Sequence, residues 1–346
     1  MGCAHGYALL APAGLRPDGT GRIVGGLIGV RFRYSPMQAI SSVLCLLSLM
    51  SSQQTADRIE KQKALHEPVC LIPMDRQIEV GDLPRAVHRL DWMRRLKPSL
   101  PISLVSIPAT HDAGTALGRT GQTRCQVLSI PAQLAVGVRG FDIRLRLIGS
   151  DLHIYHSEES QKLEFKSVMK AIGDFLHSHP SEFIVMRVKE EWKAMNPSES
   201  FEAAFEKTIE PYRSHFYHPS SRTEIPLVAQ MRGKILILDN YGKLPDAVDY
   251  PNSAMNIQDD YDTSDMAKKF GEIVAQFELA RKQTDGRTWV INYTSSCTLA
   301  VDQLANARAV NAKFQAHLKG FRGNLGLVLM NFPSVDAVEH ILESNF

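Results

Sequence analysis

The sequence predicts an α/β barrel, and three observations predict it. Short apolar runs alternate with helical patterns from Asp82 onward. Run after run ends in a polar or ionisable residue, as in a parallel barrel, where the strand ends converge on one face. The chain has 346 residues, enough for one large barrel, with 44% hydrophobic and 22% charged residues, the balance of a globular protein.

The first 75 residues read as a leader and linker. Glycine and proline are dense up to Pro36, and the polar stretch "SSQQTADRIEKQK" follows Met50. Between them the run Ala39 to Met50 is too short and serine-rich to span a bilayer. It follows Arg31 and Arg33 as the core of an export signal follows its basic region, though far from Met1. Either translation starts later, which makes the run an export signal and the protein secreted or bound at a membrane surface, or the run is not a signal. The five cysteines, Cys3, Cys45, Cys70, Cys125 and Cys297, are odd in number and form no C-x-x-C pair, so neither a disulfide framework nor a metal cluster is implied. A net charge of +2 asks for no nucleic-acid partner.

Residues 76 to 346 form the expected catalytic barrel. The segment "PRAVHRLDWMRRLK", Pro84 to Lys97, opens it as a basic helix with two readings: it docks on anionic lipid, or it is solvated and packs Trp92 on the barrel. Strands are expected at "LVSI" (from Leu104), "VRGFDIRLRL" (Val138), "LHIYH" (Leu152), "FIVMRVK" (Phe183), "KILILDN" (Lys234), "TWVINYT" (Thr288) and "LGLVLMN" (Leu325). Between them, Phe165, Val168, Met169, Ile172, Phe175 and Leu176 make one helical stripe, and Leu299, Leu304, Ala307, Val310 and Phe314 another.

The strand ends carry the chemistry. His111 follows the first strand, His156 the third, Lys189 the fourth, Asn240 the fifth and Asn331 the last. On the second strand the two-residue period places Asp142, Arg144 and Arg146 on one side. Such charges need partners, either an internal Asp–Arg bridge or an anionic ligand. Two histidines and a guanidinium, without a G-x-S-x-G elbow, fit general acid-base cleavage of a phosphodiester.

Taken in order, "SIPATHDAGT", "CQVLSIPAQLAVGVRGFDIRLR", "IYHSEES", "FLHSHPSEFIVMRVKEE", "RGKILILDNYG", "NIQDDYD" and "WVINYTSS" resemble the X-type catalytic domain of bacterial phosphatidylinositol-specific phospholipase C, over roughly Gly81 to Phe346. The resemblance implies a (β/α)8 TIM-type barrel, distorted or incompletely closed, as a single catalytic domain. It also implies a monomer that acts without cofactor or metal on an inositol phospholipid at a membrane surface. It makes His111 the general base, His156 the general acid with Asp112 paired to it, and Arg144 the phosphate-binding group with Asp142 beside it. Lys189, Asp259 and Tyr261 fall at positions that contact the inositol ring. Two positions depart: Asn240 stands where these enzymes usually have an inositol-binding arginine, and Asn331 where they have the aspartate that orients the base. A barrel that binds inositol phosphate with weakened turnover is the alternative. A metal-dependent glycerophosphodiesterase is disfavoured, because its strand-end carboxylates are here Arg144 and Lys189.

Overall fold

The computed structural model describes residues 77–118, 121–297 and 303–346. The leader, with the signal-like run Ala39 to Met50, lies outside them, as does Leu299. β1 (Ile107–Thr110) leads to α1 (Ile130–Val136), then to the meander β2 (Gly140–Ile148), β3 (Asp151–His156) and β4 (Glu159–Glu164). Next come α2 (Phe165–Ser178), β5 (Ile184–Glu190), α3 (Phe201–Ile209), α4 (Val228–Met231), β6 (Ile235–Asp239) and β7 (Val248–Asp249). β8 (Met255–Gln258), α5 (Met266–Lys282), β9 (Trp289–Tyr293), α6 (Gln303–Leu318), β10 (Leu327–Met330) and α7 (Val335–Glu343) follow.

The strands β7-β6-β5-β2-β1-β10-β9-β8 pair in that order, every neighbour parallel, and the sheet curls with its helices into an open (β/α)8 TIM-type barrel. The two end strands do not pair, and chain length explains the seam. Only Tyr250 to Ala254 separate β7 from β8. Parallel neighbours need a crossover of about a dozen residues.

Three expectations about elements need correction. The first strand is Ile107–Thr110, while Ile102–Leu104 is a 3-10 turn. Pro108 therefore lies inside the strand. Its missing N–H costs no ladder bond, because β2 begins to pair only at Ala109, opposite Gly140. Second, His156 does not end a parallel strand. β3 runs antiparallel to β2, with Leu145 opposite Ile154, and this hairpin carries the chain back to the mouth. Third, Pro84 to Lys97 forms two 3-10 turns, Arg85–Val87 and Trp92–Arg95, rather than a docking helix. Trp92 is buried and donates its indole N–H to Gly137 O at 3.1 Å, while Met93 N donates to Glu182 Oε1 at 3.0 Å. Those partners lead into β2 and β5, so the segment closes the end of the barrel opposite the mouth.

The helical stripes behave as their spacing requires. Phe165, Val168, Met169, Ile172 and Leu176 of α2 are buried, as are Leu304, Ala307, Val310 and Phe314 of α6. Ser129 caps α1 by accepting from Ala132 N, and Gly137 ends it in the left-handed region at φ 109°. Gly140 has no room for a side chain, since a Cβ there would press on that of Ala109, and so β1 and β2 approach closely. Among the described residues no helix is long and apolar enough to cross a membrane.

Candidate active site

At the C-terminal end of β1 the chain turns sharply, with Asp112 left-handed at φ 46°. Aspartate tolerates this region better than most residues. The kink puts the Asp112 carboxylate beneath His111: Oδ2 lies 3.4 Å from His111 Nε2, and Oδ1 lies 2.6 Å from Arg144 Nε. The Asp112 side chain is fully buried.

From β2, Asp142 and Arg144 project inward and are joined at 3.3 Å, as the two-residue period predicts. Arg146 departs from that pattern. It reaches Lys193 O at 2.8 Å and lies over the Tyr155 ring, because β2 continues past the mouth into the hairpin. Asp142 Oδ1 also accepts from Arg187 Nη1 at 2.6 Å, so one buried carboxylate holds two guanidiniums. Burial pushes the Asp142 pKa up, but Arg187 and Arg144 pull harder and hold it well below the usual carboxylate range.

The hydrogen bonds at the two histidines define their tautomers. Arg144 Nη2 is 2.6 Å from His111 Nε2. A guanidinium only donates, so Nε2 is the bare nitrogen and Nδ1 carries the proton. Nδ1 donates to Asn331 Oδ1 at 2.8 Å, and Asn331 Nδ2 donates to Gln303 Oε1 at 2.7 Å. Burial is the largest influence on His111; Asp112 opposes it and Arg144 reinforces it, and the net pKa falls below 6.5. His156 Nδ1 donates to Thr123 O at 3.0 Å and lies 3.7 Å from Asp112 Oδ2, which leaves Nε2 on the side away from these partners.

Of the remaining expected residues, Lys189 and Asn240 are joined to this centre through Glu191 and Arg187. Lys189 pairs with Glu191 at 2.7 Å, and Glu191 also receives Ser157 N beside His156 at 2.9 Å. Asn240 accepts from Arg187 Nη2 through its side-chain oxygen and donates to Tyr250 O at 2.9 Å. Asp259 and Tyr261 are exposed on the loop after β8, and Asp259 is close enough to act electrostatically on Tyr250 and Tyr293.

Sequence reasoning missed Arg187, Glu191, Cys125, Gln303, Tyr250 and Tyr293. Arg187 was within reach, because the two-residue period applied to β5 puts it on the same side as Lys189. The tyrosine hydroxyls meet at 2.9 Å, and the Tyr293 ring meets His111 edge-on; nothing local in the sequence marks either.

Ligand-type atoms of His111, Asp112 and Cys125 lie within 4.8 Å of one another. They do not suit a divalent ion. Arg144 already engages the histidine and the carboxylate, and burial, aided by Asp112, raises the Cys125 pKa and keeps the thiol protonated.

A barrel mouth that brings a guanidinium and two imidazoles around one buried carboxylate fits a class, the phospholipase C-like phosphodiesterases. The comparisons agree. The model of the family described as phosphatidylinositol-specific phospholipase C, X domain, matches residues 99–241, so this part of the chain is similar to that domain. The 1-phosphatidylinositol phosphodiesterase of Listeria monocytogenes serovar 1/2a (strain ATCC BAA-679 / EGD-e) is 29% identical over 284 residues, 76% of this chain and 87% of that protein. The solved phosphatidylinositol-specific phospholipase C from Listeria monocytogenes has a TM-score of 0.67 and 28% identity, covering 75% of this chain and all of that one. A Staphylococcus aureus phosphatidylinositol-specific phospholipase C shares the fold, with a TM-score of 0.67 at 19% identity, over 76% of this chain and 99% of that one.

Proposed function

We propose that the chain is a metal-independent phosphodiesterase that cleaves phosphatidylinositol, or a related inositol phospholipid, to diacylglycerol and a cyclic inositol phosphate. The observation that carries this reading is Asp112 Oδ2, which lies 3.4 Å from His111 Nε2 and 3.7 Å from His156 Nδ1 while Arg144 holds the other oxygen. His111 Nε2 takes the proton of the inositol 2-hydroxyl, whose oxygen bonds to phosphorus. The bond from phosphorus to the diacylglycerol oxygen breaks, and that oxygen takes a proton from His156 Nε2. Arg144 leaves His111 for the phosphate and offsets the charge that develops there. Lys189, Asn240, Asp259, Tyr261 and Asp142 line the headgroup side, with Arg187 the guanidinium nearest Asn240. The protein works as a monomer at a membrane surface, outside the cell or peripheral to it, behind a leader of about 75 residues. Asn331 presents an oxygen to His111, which supports turnover over binding alone.

The test is purified protein on phosphatidylinositol vesicles, with the product identified by phosphorus NMR. A cyclic phosphate is expected, formed at the same rate with excess chelator. Strict dependence on added calcium would overturn the metal-independent mechanism.

A second expectation concerns Asn331→Asp. A carboxylate on Nδ1 stabilises the imidazolium, so the acid limb of the kcat/KM profile moves to higher pH and turnover above that limb rises. An unchanged profile in folded protein excludes Asn331 as the partner of the base.

A further inference from the structure

The neutral partner of the base raises a question of polarity. An aspartate would present an oxygen to His111 whichever way it turned, whereas an amide presents either an oxygen or an NH2 group. Turned the wrong way, Asn331 would donate to Nδ1. The proton would then sit on Nε2, and no basic nitrogen would face the mouth. In the resting arrangement Arg144 prevents this by donating to Nε2 at 2.6 Å. That lock is lost when Arg144 moves to a phosphate, as the proposed mechanism requires.

We propose that Gln303 is a positioning residue that keeps the Asn331 amide, and with it the His111 tautomer, correctly turned during catalysis. Three observations support this. Gln303 Oε1 accepts from Asn331 Nδ2 at 2.7 Å, so a half-turn of the asparagine would set two oxygens against each other. Gln303 is buried, with 3% of its surface exposed, at the first turn of α6, where its backbone N–H is tied to Gly121 O at 2.9 Å. Asn331 is itself 1% exposed, and its backbone carbonyl accepts from Asn311 Nδ2 at 3.0 Å, so its main chain is held while its side chain depends on Gln303. The order of donors is Arg144 to His111, His111 to Asn331 and Asn331 to Gln303. When the first donor leaves, the last acceptor keeps the direction.

The inference rests on the proposed reaction for its consequence but not for its geometry, so the experiment has two arms. In the first, 15N NMR reads the His111 imidazole in Arg144→Leu, which lacks the resting lock, and in Arg144→Leu with Gln303→Met, a side chain of similar volume without the acceptor. The Nδ1-protonated signature is expected in the first protein and a shift towards the Nε2-protonated form in the second. Retention of the first signature in both overturns the proposal.

In the second arm, Gln303→Met alone lowers kcat on phosphatidylinositol vesicles about fivefold, the factor one ordinary net hydrogen bond carries, with KM unchanged. Gln303→Glu keeps the rate, because a carboxylate can only accept. In an Asn331→Asp background Gln303→Met has no effect, since either carboxylate oxygen serves His111. An equal loss in both backgrounds means that Gln303 is merely structural and overturns the proposal. If even the unaltered protein turns over no lipid, the proposed reaction fails, and the NMR arm alone decides the role of Gln303.

Discussion

His111→Ala lowers turnover of phosphatidylinositol by about 10²–10⁴, the range that one positioned proton transfer contributes, and His156→Ala does likewise. The two variants part on a substrate with a leaving group of low pKa. Such a group departs without a proton, so the His156 variant recovers much of its rate. The His111 variant does not, because the attacking hydroxyl still needs a base. Each histidine side chain is 12% exposed at the mouth, and His111 also bonds Asn331 and Arg144, so thermal unfolding of the His156 variant stays closer to that of the parent than unfolding of the His111 variant. Equal rescue of the two would show that the acid and base roles are misassigned.

Asp142→Ala gives the largest expected loss of stability, about 3–5 kcal/mol, the usual cost of leaving a buried charge without its partner. Here two guanidiniums lose a shared carboxylate: Arg187 at 2.6 Å and Arg144 at 3.3 Å. The pH dependence has a definite sign. Because the folded state holds the Asp142 pKa well below the unfolded value of about 4, its stabilisation is complete above that value and declines as pH falls below it. The gap between the unfolding midpoints of parent and variant is therefore widest at neutral pH and narrows in acid. A gap independent of pH would show that the loss comes from packing rather than charge.

How much of this the sequence disclosed depends on the range of the interaction. The strands with an apolar run bounded by turn residues, such as Ile235–Asp239 and Trp289–Tyr293, were legible because burial on both faces leaves a continuous hydrophobic signature. Glu159–Glu164 was not, since a polar edge strand has no such run and owes its form to pairing with β3. β7 has two residues, too few for any pattern. Within the site, His111, Asp112, Asp142, Arg144, His156 and Asn331 were found because strand ends and a two-residue period are local features. Gln303 was missed because nothing within its own helix relates it to Asn331, which is 28 residues further along the chain.

The pairing of β1 with β10 also bears on how the molecule is made. Ile107 sits beside Leu327, and His111 depends on Asn331, a separation of 220 residues. Contacts so distant in sequence form late and slow folding, since the entropy of closing the intervening loop precedes any reward. On a ribosome, strands β1, β2, β5 and β6 can associate while the remainder is still being synthesised. His111 gains its Asn331 partner only when β10 emerges and closes against β1. A chain interrupted before Leu327 would hold most of its sheet and both histidines, yet it would lack the group that gives His111 its direction. In the proposed mechanism, competence for proton transfer thus waits on β10, after most of the sheet is in place.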